Sequence, residues 1–189
     1  PDISIHSPCG KIYLGCRDSA NLACVDRERS KISTLNFSKS DFYATSFKYN
    51  NIGNLFIGNL YGNPIVYNGE EFIEVPISTN RSYDCLWIDN NYVVISCMSE
   101  GRVVYCKIQN EEVKVLKEIS VEQPYRFSPI QNNSFLLTTR GWVDRPGRVY
   151  IFQIEVSANE QVPRIRSYID IPDHLFLRKK YLPTYILNH

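Results

Sequence analysis

An all-β fold is what this sequence predicts: a β-propeller of four consecutive four-stranded antiparallel blades, enough for half of a larger ring. Three observations predict it. An apolar strand core begins at Lys11 (KIYLG) and returns at Asn54 (NLFIG), Tyr92 (YVVIS) and Ser134 (SFLLT). Successive starts lie 43, 38 and 42 residues apart, close to the period of about 40 to 45 residues of propeller blades. The same strand and turn precede every core. Finally, the central strands are continuous apolar runs, as in strands covered on both faces, whereas the last strand of each unit alternates.

In chain order, Asp2 to Gly10 reads as a short alternating strand followed by a Ser-Pro-x-Gly turn, where proline presets φ and glycine accepts positive φ. Lys11 to Cys16 is the next strand, Arg17 to Ala20 the turn, Asn21 to Val25 the third strand and Asp26 to Arg29 the turn into the fourth. The strand and turn that open the unit recur as TSFKYNNIGN at Thr45, CLWIDNN at Cys85 and RFSPIQNN at Arg126. The units span about 2–37, 41–78, 82–120 and 124–171 within a propeller segment of 1–172. Leu14, Phe56, Val94 and Leu136 are expected to be core residues of successive sheets. In the last unit, RIRSYIDI sets Ile165, Ile169 and Ile171 against Arg166, Tyr168 and Asp170, the mark of a half-exposed outer strand. That unit also has a longer first turn, Thr139 to Gly147, and a longer last hairpin, Glu155 to Pro163. Pro172 stops the strand, and 173–189 reads as a basic-aromatic tail or the start of a further blade.

The segment GCRDSANLACVDRERSKISTL resembles a WD repeat, with Val25-Asp26 standing where the third strand of such a repeat ends in Trp-Asp. Tyr67-Asn68, Tyr105-Cys106 and Phe152-Gln153 are read at the corresponding places, and the Gly-His pair of the family is absent. LFIGNLYGNPIVYNGEEF is similar to blades of sensor-type and lactonase-like propellers. The WD-like resemblance implies a rigid interaction platform; the lactonase-like one implies an axial site.

Composition narrows function. With 43% hydrophobic and 22% charged residues the chain is globular. A net charge of +1 argues against generic nucleic-acid binding. No apolar run approaches the roughly 20 residues needed to span a bilayer, so no membrane partner is expected. The six cysteines form no CxxC pair or metal spacing, and Cys16, Cys24, Cys97 and Cys106 recur as small buried hydrophobes. That usage predicts a reduced, cytoplasmic or nuclear protein; sequons at Asn36, Asn80 and Asn132 support the secreted alternative.

Catalytic chemistry is thinly represented. There are three histidines, and no Gly-rich phosphate loop, nucleophile elbow or HExxH helix. Asp41, Asp84 and Asp144 occur one per repeat and read as turn caps. Tyr43, Tyr83 and Tyr125 stand near the beginnings of three inner strands, where matching places in a ring converge on one rim; a large apolar body with a polar tip suits recognition. The sequence therefore predicts a non-catalytic protein-interaction scaffold that presents a rigid loop face to a peptide or partner domain of a multiprotein complex. Arg17, Tyr61, Arg81, Arg126, Trp142 and Arg145 are its expected contact residues, with no cofactor and no metal. The alternative is a propeller enzyme or small-molecule-binding propeller with an axial site. No strand is left over to clasp first blade to last, so a second chain, identical or not, or further blades should complete the ring, with Leu175 to Leu187 helping to cover an end.

Overall fold

The structure is a computed structural model that describes residues 3–7, 9–16, 19–36, 42–109, 112–130, 134–141, 147–157 and 160–170. Among the described residues every element is a strand, and the strands form four separate antiparallel four-stranded sheets, each built from consecutive strands of the chain. The first holds β1 (Ile3–His6), β2 (Lys11–Cys16), β3 (Ser19–Asp26) and β4 (Lys31–Asn36). The second holds β5 (Ala44–Tyr49), β6 (Leu55–Asn59), β7 (Ile65–Tyr67) and β8 (Phe72–Glu74). β9 (Ser82–Trp87), β10 (Tyr92–Cys97), β11 (Arg102–Gln109) and β12 (Glu112–Ser120) make the third. The fourth comprises β13 (Pro124–Pro129), β14 (Ser134–Thr139), β15 (Arg148–Ser157) and β16 (Glu160–Asp170). This is the all-β, four-bladed arrangement that the repeat predicts.

The turn between first and second strand is closed identically in all four sheets. The amide N–H groups of Ser7, Asn50, Ile88 and Ile130 donate to the carbonyls of Lys11, Asn54, Tyr92 and Ser134, at 2.7 to 3.1 Å. Those four acceptors are the residues at which the sequence repeat begins. Counting from them, the residues equivalent to Phe56 are Tyr13, Val94 and Leu136, so the expected Leu14 is one position out. Because side chains alternate along a strand, that single step turns Leu14 to the opposite face of its sheet.

Three apolar clusters join the four sheets in series. Tyr13, Leu22 and Cys24 pack on Phe42, Phe47, Leu55 and Ile57 between sheets one and two. Phe56, Val66 and Val75 meet Cys85, Val93, Ile95 and Cys106 between two and three. Val94, Val103 and Tyr105 meet Phe127, Phe135, Leu137 and Phe152 between three and four. Phe56 and Val94 are fully buried. Leu14 and Leu136 are only half-buried, because each lies on the outer face of a terminal sheet. The innermost strands β1, β5, β9 and β13 neighbour one another in that order and define the axis. The expected long hairpin of the fourth unit is an extension of strand: β15 and β16 stay paired as far as Ser157 and Glu160. The tail 173–189 lies outside the described residues.

Candidate functional site at the axial end

At one end of the sheets, the inner strand begins beside the turn that joins second to third strand. There the inner strand of three successive sheets carries an irregularity. Ala44 faces Asn59 and Phe47 faces Ile57, so Thr45 and Ser46 together oppose Gly58. Ser82 faces Cys97 and Asp84 faces Ser96, leaving Tyr83 as the extra residue; Pro124 faces Thr139 and Arg126 faces Thr138, leaving Tyr125. A bulge of this kind re-aims the side chains it carries. Beyond it, Leu60 N–H donates to Tyr43 O at 2.8 Å, Met98 to Arg81 at 3.1 Å and Arg140 to Gln123 at 3.0 Å, so the ladder resumes and the bulge is fixed.

The bulges bring Tyr83 and Tyr125 together, ring centroids 4.3 Å apart at 33°, hydroxyls 2.9 Å apart. Over them lies the Arg126 guanidinium, its Cζ 5.0 Å from the Tyr83 centroid and 5.5 Å from that of Tyr125. One guanidinium N–H donates to Thr45 O at a long 3.4 Å, and another nitrogen stands 3.8 Å from Asp84 Oδ1. Arg126 therefore spans three inner strands while its side chain keeps 31% of its exposure.

Asp84 is fully buried. Its Oδ2 accepts from Phe127 N–H at 3.0 Å, while Oδ1 has no hydrogen-bond donor. Burial pushes the carboxyl above its ordinary value; the positive charges of Lys48 and Arg126 and the Phe127 N–H oppose that push without cancelling it. Beneath it, buried Ser96 Oγ accepts from Asp84 N–H at 2.8 Å and lies 3.1 Å from the carbonyls of Asp84 and Tyr125, to which it donates. Asp84 is thus not the expected turn cap. A cap accepts from N–H groups of its own turn, as Asp26 does from Arg29 N–H at 3.0 Å. Asp84 instead sits inside a strand and bonds the next sheet.

Tyr61 and Arg81 lie at the same end. Tyr61, 56% exposed, meets Tyr43 edge-on at 4.9 Å. Asn59 Oδ1 holds that pair by accepting from both Tyr43 N–H and Tyr61 N–H at 3.1 Å. Arg81 is half-buried directly before β9, and the connection it ends is braced by Glu100, which accepts from Thr79 Oγ1 at 2.6 Å and Asn80 N–H at 2.7 Å. The structure so brings Tyr61, Arg81 and Arg126 to one end; Arg17, Trp142 and Arg145 lie outside the described residues. Of the three expected rim tyrosines only Tyr83 and Tyr125 meet. Register shows why: Phe47 and Cys85 are equivalent, Tyr83 precedes Cys85 by two, and the residue two before Phe47 is Thr45, not Tyr43. The one signal that could have singled out Asp84 is its strand context, a carboxylate between Tyr83 and Cys85 with no turn residue beside it.

No protein-family model matches the chain, and no curated protein matches it. Solved structures do. A streptogramin B lyase aligns over 89% of this chain and 54% of its own at 12% identity and a TM-score of 0.66. A functionally unknown protein from Desulfotomaculum acetoxidans aligns over 89% and 55% at 11% identity, TM-score 0.65. A chain of a mitotic checkpoint complex aligns over 89% and 54% at 12% identity, TM-score 0.60. The chain spans about half the length of these structures, and the likeness shows the propeller fold, not the WD-repeat subfamily. It also corrects the expectation that the chain is not an enzyme. A lyase shares this architecture, so the fold gives no ground for excluding catalysis; at 12% identity it assigns none either.

Proposed function

We propose that this propeller segment is a protein-interaction platform, holding a peptide or partner domain of a multiprotein complex across the end that carries Tyr61, Arg81 and Arg126. The observation that carries this reading is the repeated bulge, which in the third and fourth sheets sets Tyr83 and Tyr125 together against Arg126, at the end that also carries Tyr61 and Arg81. Tyr and Arg are enriched among the residues that carry binding energy at interfaces, Tyr because it buries a large ring for little lost freedom and Arg because of its multiple donors. The mitotic checkpoint neighbour, part of a complex by its description, is in keeping with protein partners. A second chain, or further blades, belongs to the same reading, since among the described residues no sheet covers the outer faces of the first and last sheets. A reduced, cytoplasmic or nuclear setting also belongs to it, supported by free thiols buried at Cys24, Cys85, Cys97 and Cys106.

The test is a selection of displayed random peptides on the chain, followed by mapping of bound peptide through backbone NMR shifts. Enriched peptides should shift residues of the β6–β7 turn and the starts of β9 and β13, and Tyr61→Ala should weaken them. Shifts confined to the opposite turns, those at 50–54 and 88–91, would overturn the reading. Convergence of Asp84, Arg126 and Lys48 near the axis favours a second reading, a small-molecule or catalytic axial site. Enrichment of no peptide, together with a small ligand that shifts Ser96 and Phe127, would select it.

A further inference from the structure

We infer that the group received at this axial mouth is a carboxylate, carried by an acidic segment of the partner, and that Arg126 is the residue that receives it. The inference rests on the platform reading and adds the chemistry of its ligand. A guanidinium has five N–H donors in a fixed fork. Here the structure gives it one long hydrogen bond, at 3.4 Å to Thr45 O, and a carboxylate oxygen beyond bonding distance at 3.8 Å. A cation with most of its donors unspent, about a third exposed, is open to an acceptor arriving from solvent.

Its position is already set. Tyr83 and Tyr125 hold the guanidinium by their ring faces, and their own hydroxyl contact, with Ser96 Oγ under the Tyr125 carbonyl, holds the rings. Little side-chain freedom is left to lose on binding, so a single charge-assisted pair counts for more here than on a free surface arginine. Asp84 lies behind the guanidinium, and whatever charge its carboxyl carries opposes an incoming anion in proportion to the charge brought in. A planar carboxylate carries one; a phosphate monoester carries about 1.5 to 2 at neutral pH. The flat, two-donor edge of the fork also matches the two oxygens of a carboxylate.

Three capped fluorescent hexapeptides test this on the full chain: hexaglutamate, hexaglutamine, and a hexaserine bearing one phosphoserine, titrated by anisotropy with the Arg126 Nε–H resonance followed in parallel. Hexaglutamate should bind roughly tenfold or more tightly than hexaglutamine, move the Arg126 resonance, and outbind the phosphopeptide. Arg126→Gln should abolish the preference. Arg126→Lys, which keeps the charge and loses the fork, should retain part of it, and Arg166→Gln on β16 should change nothing. The comparison of peptides on the unaltered chain stands even if Arg126→Gln unfolds. Equal binding of hexaglutamine with the same resonances moved would overturn the carboxylate while leaving the platform in place. Tighter binding of the phosphopeptide, or a glutamate preference that survives Arg126→Gln, would also overturn it. If none of the peptides moves a resonance at this end the inference falls, and the platform is then judged on its selected peptides alone.

Discussion

At Asp84 two forces oppose one another, and the balance sets a pH dependence. Burial raises the carboxyl above its unfolded value, with Lys48 and Arg126 pulling the other way. A raised carboxyl in the fold means that, between the unfolded value of about 3.9 and the raised one, the native state holds more protons than the unfolded state. Stability then falls as pH rises through that window. Asp84→Asn keeps the acceptor for Phe127 N–H but removes the titration. Urea midpoints measured from pH 4 upward should show the native chain losing stability relative to Asp84→Asn; parallel curves would sink the account. The thiols differ in the same way. Exposed Cys9 has its thiol lowered by the Ser7 hydroxyl, 3.0 Å away, whereas burial pushes Cys97 and Cys106 up to about 12. Among the described cysteines, Ellman's reagent should therefore take Cys9 first in the folded chain and Cys24, Cys85, Cys97 and Cys106 only on unfolding. Ser7→Ala should slow the Cys9 reaction at neutral pH.

In the second sheet, the bulge at Thr45 and Ser46 exists because Gly58 leaves room for it. A Cβ at residue 58 would overlap Thr45 Oγ1 and stand 2.9 Å from Ser46 Oγ and 3.1 Å from the Tyr83 carbonyl. The hydroxyl cannot simply swing away, since it donates to Ser82 O at 2.9 Å. Gly58→Ala should therefore destabilise by about 1 to 3 kcal/mol as an overpacking change. A double-mutant cycle locates the cost: in a Thr45→Ala background the penalty should shrink, and an unchanged penalty would place it elsewhere. Phe47 and Ile57 lie below the bulge in ordinary register, so the strand order was readable from the repeat. The bulge was not, because it depends on which neighbouring backbone the inner strand meets.

At the scale of the molecule, the four sheets of the described residues share three cores, and the two terminal sheets each keep an outer face that no described sheet covers. On the first, Ile12, Leu14, Ala23 and Val25 are half-buried and Ile32 is 73% exposed. On the last, Leu136, Val149 and Ile151 are half-buried and Ile169 is 59% exposed. Phe56, fully buried between sheets two and three, should cost roughly 3 to 5 kcal/mol when truncated to Ala. Leu136→Ala occupies the equivalent place on an uncovered face and should cost clearly less. Chemical unfolding at several protein concentrations checks both. An equal loss for Leu136, growing with concentration, would mean that another sheet covers that face in solution. Among the described residues no helix is long and apolar enough to cross a membrane.

Period and strand order were determined by the sequence itself, because they are local. Alternation and turn residues act within a few positions, and Lys11, Asn54, Tyr92 and Ser134 mark the same turn in every unit. Tyr61, Arg81 and Arg126 could be placed at one end for the same reason: strand parity and turn position fix the end of a sheet at which a residue lies. The pairing of Tyr83 with Tyr125, the separation of Tyr43, and the burial of Asp84 behind Arg126 were decided only in the tertiary structure. Each depends on a one-residue bulge and on the distance between strands of different sheets. A shift of one position reverses the face on which a side chain lies, as it does for Leu14 and Tyr13, and no pattern within a single strand records it.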